Sequence, residues 1–339
     1  MRILLTGGAG FIGSHVGEAL LGRGDEVVAL DNFDPYYARA RKEANVRDSR
    51  RREGYRLVEG DFRDGDLLRA LFAEARPDAV VHLGAKAGVR PSVEDPAGYA
   101  SVNVAGTVQV LEACRAAGVT KLVFASSSSV YGDDTPVPFR EDAPANRPAS
   151  PYAATKKAGE EIVHSFHHTS GIDAVCLRYF TVYGPRQRPE MAVHLFARYL
   201  TQGRPLQLYD GGRLQRDYTY VSDVVAGTLA ALDHVVHAGR CFEVLNLANS
   251  RTVSLTELLA LLERAFGARA QVRYADRPQG DVERTWGDVS KARRLIGYEP
   301  RVPIEEGVSR FAAWYATEGA ALAAEPEPSA EVRLGAAGP

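Results

Sequence analysis

Tyr152 and Lys156 stand four residues apart in Ser150-Pro151-Tyr152-Ala153-Ala154-Thr155-Lys156, a spacing that puts both side chains on one face of a helix. Ser150 suits the N-cap and Pro151 the first helical position, so Tyr152 falls in the first turn. A nearby ammonium and the positive end of a helix favour a phenolate there. Such a tyrosine can take a proton from an alcohol. A surface tyrosine and lysine would show the same spacing, so the pair counts only in company. That company is Phe124-Ala125-Ser126-Ser127-Ser128-Ser129-Val130-Tyr131-Gly132, an apolar strand that runs out into four serines. A serine hydroxyl at this strand end can bridge Tyr152 and a reacting oxygen.

Taking a proton from an alcohol becomes an oxidation when a hydride acceptor lies alongside, and the amino terminus supplies a seat for one. Gly7-Gly8-Ala9-Gly10-Phe11-Ile12-Gly13 follows the first strand and opens a helix, with Gly7, Gly10 and Gly13 at the spacing of a pyrophosphate-binding turn. Asp31 ends the second strand, where a carboxylate can accept hydrogen bonds from an adenosine ribose and repel the extra phosphate of NADP. NAD is therefore the expected cofactor. Gly60-Asp61-Phe62 after the third strand either flanks an adenine or forms a strand-ending turn with a helix cap.

The elements that must position these groups alternate. Apolar runs at Arg2 to Thr6, Glu26 to Leu30, Tyr55 to Glu59, Ala79 to Leu83, Lys121 to Ser126 and Ala174 to Tyr179 are separated by stretches of helical period. This predicts an α/β fold, a Rossmann-type doubly wound parallel sheet, with a smaller mixed α/β substrate domain. The expected division is a nucleotide domain over 1–180, joined by about 217–248, and a second domain from 181–216 and 249–322. Asp217 to His234 reads as a helix and Glu243 to Leu247 as a strand. Ser254-Leu255-Thr256-Glu257 reads as a capping box for a helix to about Phe266, and a last amphipathic helix spans Ile304 to Glu318. Residues 323–339 are too poor in large apolar groups to offset their ordering entropy, which predicts a disordered tail.

Of the 339 residues 45% are apolar and 25% charged, ordinary for one large or two modest domains. A formal net charge of -2 gives no basic field for nucleic acid or an anionic membrane surface. Cys114, Cys176 and Cys241 are far apart, lack metal-ligand spacing and sit in apolar runs, which predicts reduced core thiols, no metal site and a cytoplasmic setting. No charged-then-apolar leader or run of membrane-spanning length is present, so neither export nor membrane insertion is expected. The basic run Arg39 to Arg52 reads as a solvated helix or loop near the site.

The glycine turn, the serine-rich strand end and the Tyr-x-x-x-Lys helix resemble the extended short-chain dehydrogenase/reductase superfamily, to about Glu318. Within it Asp31-Asn32-Phe33 with Tyr36-Tyr37, Ala87-Gly88-Val89-Arg90, Phe180-Thr181-Val182-Tyr183-Gly184-Pro185 and Arg188-Pro189-Glu190-Met191-Ala192 are similar to the UDP-glucuronate 4-epimerases. The resemblance implies that Ser127, Tyr152 and Lys156 are catalytic. It implies an NAD site formed by Gly7, Gly10, Phe11, Ile12, Gly13, Asp31, Asn32, Asp61, Phe62, Leu83, Asn103, Ser126 and Tyr179 together with Tyr152 and Lys156. Gly84-Ala85-Lys86 belongs to the same site, although the family more often has two alanines and a glutamine there.

For the UDP-hexuronic acid the resemblance implies carboxylate contacts from Thr181 and Arg188, with Arg90 as a third candidate, and sugar contacts from Ser127, Ser128, Tyr152 and Met191. Gln207 and Tyr209 lie on the strand resembling the one that flanks uracil, Arg216 resembles the diphosphate-binding arginine, and Arg277 is a second candidate for that role. Arginine suits phosphate because its planar fork donates two bonds at once. Relatives that dehydrate or decarboxylate the 4-keto sugar carry acidic residues where Ser128 and Ser129 stand here, which favours plain epimerisation of UDP-glucuronate and UDP-galacturonate. The competing readings are a 4-epimerase of neutral UDP-hexoses, a UDP-glucuronate decarboxylase and a non-catalytic NAD-binding sensor. A homodimer through helices near Ala97 to Ala117 and Tyr152 to Ser170 is implied by resemblance alone.

Overall fold

Buried parallel strands read as near-continuous apolar runs because helices cover both faces of their sheet, and the computed structural model arranges the six runs in this way. It describes residues 1–276 and 282–320. Arg277 and the tail from 323 therefore lie outside the described residues. The elements run β1 (Arg2–Thr6), α1 (Phe11–Gly22), β2 (Glu26–Asp31), α2 (Arg39–Val46), β3 (Tyr55–Glu59), α3 (Gly65–Ala75), β4 (Ala79–His82), α4 (Val89–Glu94), α5 (Pro96–Ala100), α6 (Gly106–Ala117), β5 (Lys121–Ser127), α7 (Pro151–Ser170) and β6 (Asp173–Tyr179). They continue as β7 (Thr181–Tyr183), α8 (Ala192–Thr201), β8 (Leu206–Tyr209), β9 (Gln215–Tyr220), α9 (Val221–His237), β10 (Phe242–Leu247), β11 (Thr252–Ser254), α10 (Leu255–Phe266), β12 (Val272–Ala275), α11 (Ser290–Ile296) and α12 (Ile304–Trp314).

Seven strands pair in parallel in the order β10-β6-β5-β4-β1-β2-β3. The order reverses beside β1, and ligands of such sheets bind outside the carboxyl ends of the strands at that point. The pleat divides the core: Ile3 and Leu5 pack with Val16 and Leu20 of α1 on one face, while Leu4 packs with Leu68 of α3, Val110 of α6 and Val163 of α7 on the other. β7, β9 and β11 form a smaller sheet, and β8 pairs with β12 in parallel.

Local signals in the sequence correspond closely to the elements. Ser150 caps α7 by accepting from the Ala153 amide, and Ser254 and Glu257 close a capping box on α10. Three expectations need correction. Asp217 to Tyr220 is strand, not helix: Tyr218, Thr219 and Tyr220 favour a pleated surface, and the Asp217 carboxylate accepts from the amides of Asn249, Ser250 and Gly287 at 2.7, 3.0 and 3.1 Å. Arg41 and Lys42 in the basic run are buried rather than solvated, because α2 lies against the end of β2 and brings Lys42 Nζ to 3.6 Å from Asp31. Cys114 and Cys176 are core residues, but Cys241 precedes edge strand β10 and is only half-buried. The last helix follows the expected span, α-helical over Ile304–Trp314 and continuing as a π-helical turn over Tyr315–Gly319. Among the described residues no helix is long and apolar enough to cross a membrane.

Candidate active site

The turn between β1 and α1 is held by close backbone approach. Gly7 has φ +70°, and a Cβ there would lie 2.8 Å from Gly84. A Cβ on Gly13 would stand 2.1 Å from the Gly7 carbonyl oxygen, so the helix can meet the turn only with glycine at that position. No side chain caps α1, so the first-turn amides of Phe11, Ile12 and Gly13 keep no capping acceptor, which suits a pyrophosphate. Gly10 is the N-cap. Asp31 ends β2 and braces this turn, accepting from the Ala9 and Phe33 amides at 3.0 and 2.8 Å.

Asn32 donates to Asp61 at 3.0 Å, and Arg63 donates to the same carboxylate at 2.7 Å. Hydrogen bonds from Arg63 come first among the causes that hold the Asp61 carboxyl down to about 2. Asp61 is not a helix cap, since α3 is capped by Asp64, which accepts from the Asp66 and Leu67 amides. Phe62 is buried and meets His82 edge-on, ring centroids 5.2 Å apart.

Leu83, Gly84, Ala85 and Lys86 leave β4 half-buried, and a hydrogen-bond chain fixes their path. Gly84 N–H donates to Thr6 Oγ1 at 3.0 Å, which lies 2.6 Å from His82 Nδ1, while His82 Nε2 lies 3.1 Å from Thr107 Oγ1. Thr107 spends its one hydroxyl proton on the Asn103 carbonyl at 2.7 Å, so His82 must donate from Nε2 and accept at Nδ1. Burial, aided by the Lys156 charge, pushes the imidazole down to about 3, so it stays neutral. Asn103 then clasps the Lys86 backbone on both sides, at 2.8 and 2.9 Å, and donates to Thr155 on α7 at 3.0 Å. Sequence reasoning passed over His82, although a histidine closing an otherwise apolar strand was a usable signal. The Lys86 ammonium itself turns to Asp95, 2.9 Å away.

Lys156 Nζ donates to the Ala125 carbonyl at 2.7 Å, and burial lowers it to about 8. Tyr152, one turn earlier, is half-buried. Burial raises its phenol above the ordinary tyrosine value, and a hydrogen bond with Ser127 and the charge of Arg188 pull the other way. The sequence expectation that Lys156 and the helix end favour the phenolate thus meets a larger opposing effect, desolvation. Tyr99 meets Tyr152 edge-on, ring centroids 6.2 Å apart. Ser126 donates to Glu160 at 2.6 Å, which commits its hydroxyl within the fold. Ser127 and Ser129 share a 3.2 Å hydrogen bond, and Ser128 beside them is half-buried. Tyr179 ends β6 with its hydroxyl 2.9 Å from Thr228.

Arg188 reaches this centre from the loop before α8. Its Nη1 donates to the Ala87 carbonyl at 3.1 Å, and its guanidinium lies 5.5 Å from the Tyr36 ring centre. Thr181 opens β7 directly after β6, and Met191 is the N-cap of α8. Arg90 lies 5.5 Å over the Tyr209 ring, and Tyr209 donates to Gln207 at 3.0 Å, which groups these three along β8. Arg216 on β9 donates to the Gln215 carbonyl at 2.8 Å. The structure thus brings Ser127, Tyr152 and Arg188 together and sets Arg90, Gln207 and Tyr209 as a second group.

A doubly wound sheet with a glycine turn, an acidic strand end and a Tyr-x-x-x-Lys helix at its switch point defines a dinucleotide-dependent oxidoreductase fold of the short-chain dehydrogenase/reductase type. Residues 4–311 match the family described as GDP-mannose 4,6 dehydratase. The chain is 42% identical to UDP-glucuronate 4-epimerase 3 of Arabidopsis thaliana over 92% of its own length and 76% of that protein. Among solved structures, the UDP-glucuronic acid 4-epimerase of Bacillus cereus in complex with UDP-glucuronic acid and NAD superposes with a TM-score of 0.88 at 36% identity, covering 93% of this chain and 99% of that one. The UDP-glucose 4-epimerase of Thermus thermophilus in complex with NAD superposes with a TM-score of 0.84 at 37% identity, covering 94% and 100%. The chain belongs to the extended short-chain dehydrogenase/reductase family of nucleotide-sugar enzymes that includes the UDP-glucuronate 4-epimerases.

Proposed function

We propose that this protein is an NAD-dependent UDP-glucuronate 4-epimerase that interconverts UDP-glucuronate and UDP-galacturonate through a 4-keto sugar. The observation that carries the reading is Arg188, a guanidinium brought by tertiary structure to where its charge acts on the Tyr152 hydroxyl. A cation there serves a ligand whose carboxylate sits close to the reacting centre.

The glycine turn, Asp31 and the Asn103-clasped loop fit NAD, which when bound accepts a hydride from the sugar and returns it. The chain's own residues do the rest. Tyr152 takes the proton of the 4-hydroxyl, Ser127 bridges to the same oxygen, and Lys156 supports both from the neighbouring turn. After oxidation the sugar must turn over so that hydride returns to its other face, while the nucleotide stays held. Arg216, Gln207 and Tyr209 are the groups for that hold, with Arg90 over the Tyr209 ring. We place the nucleotide domain on the seven-stranded sheet and the substrate domain on the smaller sheets. We also propose a homodimer through α6 and α7, supported by the resemblance and by the half-buried Val108 on α6.

Purified protein incubated with UDP-glucuronate and no added NAD should yield UDP-galacturonate, resolved by chromatography; no epimer with UDP-glucuronate but turnover of UDP-glucose would move the assignment to neutral hexoses. Oxidation at carbon 4 makes a β-keto acid, which loses carbon dioxide when the carboxylate bond stands perpendicular to the carbonyl plane. On this reading Thr181 and Arg188 hold the carboxylate out of that alignment by charge-assisted hydrogen bonds. Arg188→Ala is expected to raise KM for UDP-glucuronate about ten- to a hundredfold, the worth of hydrogen bonds to a charged group. Thr181→Ala should raise the share of UDP-4-keto-pentose. Unchanged affinity and no pentose would place the carboxylate elsewhere. Asp31 should make NAD the preferred cofactor of stripped protein, and equal reactivation by NADP would overturn its role.

A further inference from the structure

Glu190 stands two residues beyond Arg188, and its side chain is 13% exposed. Its Oε1 lies 3.2 Å from Arg188 Nε, yet that oxygen receives no hydrogen bond in the structure, so the contact is one of charge and not of directed donation. Tyr36 shares a hydrogen bond with the same carboxylate. Among the described residues Arg188 makes one hydrogen bond, from Nη1 to Ala87. A guanidinium carries five N–H donors in a fork matched to a carboxylate. The fork beside Tyr152 is therefore neutralised by an internal carboxylate that does not engage it.

We propose that Glu190 is a specificity-determining residue: a carboxylate built into the chain that balances Arg188 until the carboxylate of a uronate takes the donors of the fork that Ala87 does not use. The inference rests on the uronate reading above. A neutral hexose leaves the Arg188–Glu190 pair as it is. A uronate brings a second carboxylate close to Glu190, so part of the attraction of Arg188 offsets repulsion between like charges. The grip on the uronate is moderated, which suits a sugar that must detach, turn and dock again within one catalytic cycle.

Steady-state kinetics of Glu190→Gln with UDP-glucuronate and with UDP-glucose test this. KM for UDP-glucuronate should fall about fivefold, the scale of a partly exposed ion pair, with the effect in KM and not in kcat. KM for UDP-glucose should stay in place, so that selectivity for the uronate rises. Glu190→Ala, which removes the carboxylate altogether, should move selectivity the same way, so a folding defect in one variant leaves the other decisive. A KM for UDP-glucuronate that rises or holds in a folded variant overturns the proposal and makes Glu190 an orienting partner of Arg188. Failure of the wild-type protein to turn over UDP-glucuronate would instead remove the functional reading itself.

Discussion

Tyr152→Phe is expected to lose about a hundred- to ten-thousandfold in kcat, the range of general acid–base contributions, while still binding NAD and UDP-sugar. The substitution removes one oxygen. It keeps the ring that meets Tyr99 edge-on and the helix capped by Ser150. Among the described groups around the centre, the alternatives are poorly suited to take the proton: Lys156 is committed to the Ala125 carbonyl at 2.7 Å, His82 holds both ring nitrogens in the Thr6 and Thr107 contacts, and Ser127 has no base of its own. The phenol is also tuned. Burial raises its pKa, and the Ser127 hydrogen bond and the Arg188 charge counter that rise. Turnover measured by epimer separation, with nucleotide affinity measured by calorimetry, checks the assignment. A kcat within tenfold of wild type would show that another group takes the proton.

What was legible in the sequence is what local chemistry determines. Ser150 and Ser254 are caps wherever they fold, the Gly7-to-Gly13 turn admits few other residues, and six apolar runs in alternation with helices leave little choice but a parallel sheet. The misreadings share a cause. Arg41 and Lys42 look solvated because a basic run gives no hint that α2 packs beside α1 and reaches the glycine turn and the end of β2. Asp217 to Tyr220 looks like the start of a helix because the helix after it is long and strongly periodic. The His82 chain joins Thr6, Thr107 and Asn103 through contacts spanning up to 76 residues of sequence, which no spacing rule encodes. Arg188 was legible only by resemblance. Its nearness to Tyr152 depends on the loop after β7 meeting the loop after β4, where Arg188 donates to the Ala87 carbonyl.

The other large expected effect lies beneath the site rather than in it. Glu160 on α7 and Arg178 on β6 form a buried pair, each side chain 3% exposed, with Arg178 donating from Nε and Nη2 at 2.8 Å. Ser126 donates to the same carboxylate from the end of β5, so one group ties the helix of Tyr152 to the two strands beneath it. Arg178 Nη1 has no acceptor, and the guanidinium lies 4.7 Å from the Tyr131 ring centre. Removing Glu160 leaves this cation buried with only Tyr131 to face, and breaking such a pair costs about 3–5 kcal/mol. Glu160→Ala should therefore lose that much in urea unfolding, whereas Glu160→Met with Arg178→Met, which removes both charges, should lose much less. The pH dependence has a definite sign. Burial pushes the Glu160 carboxyl up, but the Arg178 and Ser126 hydrogen bonds and the Arg178 charge outweigh it, and the group ends below the ordinary value. A carboxyl depressed in the folded state contributes stability above its unfolded pKa of about 4.3 and loses it as pH falls through the folded value. Wild-type stability should thus fall more steeply in acid than that of the double variant. If Glu160→Ala costs less than about 1 kcal/mol, the pair is compensated by water, and the anchoring of Tyr152 must come from the Ser150 cap and the Lys156 contact instead.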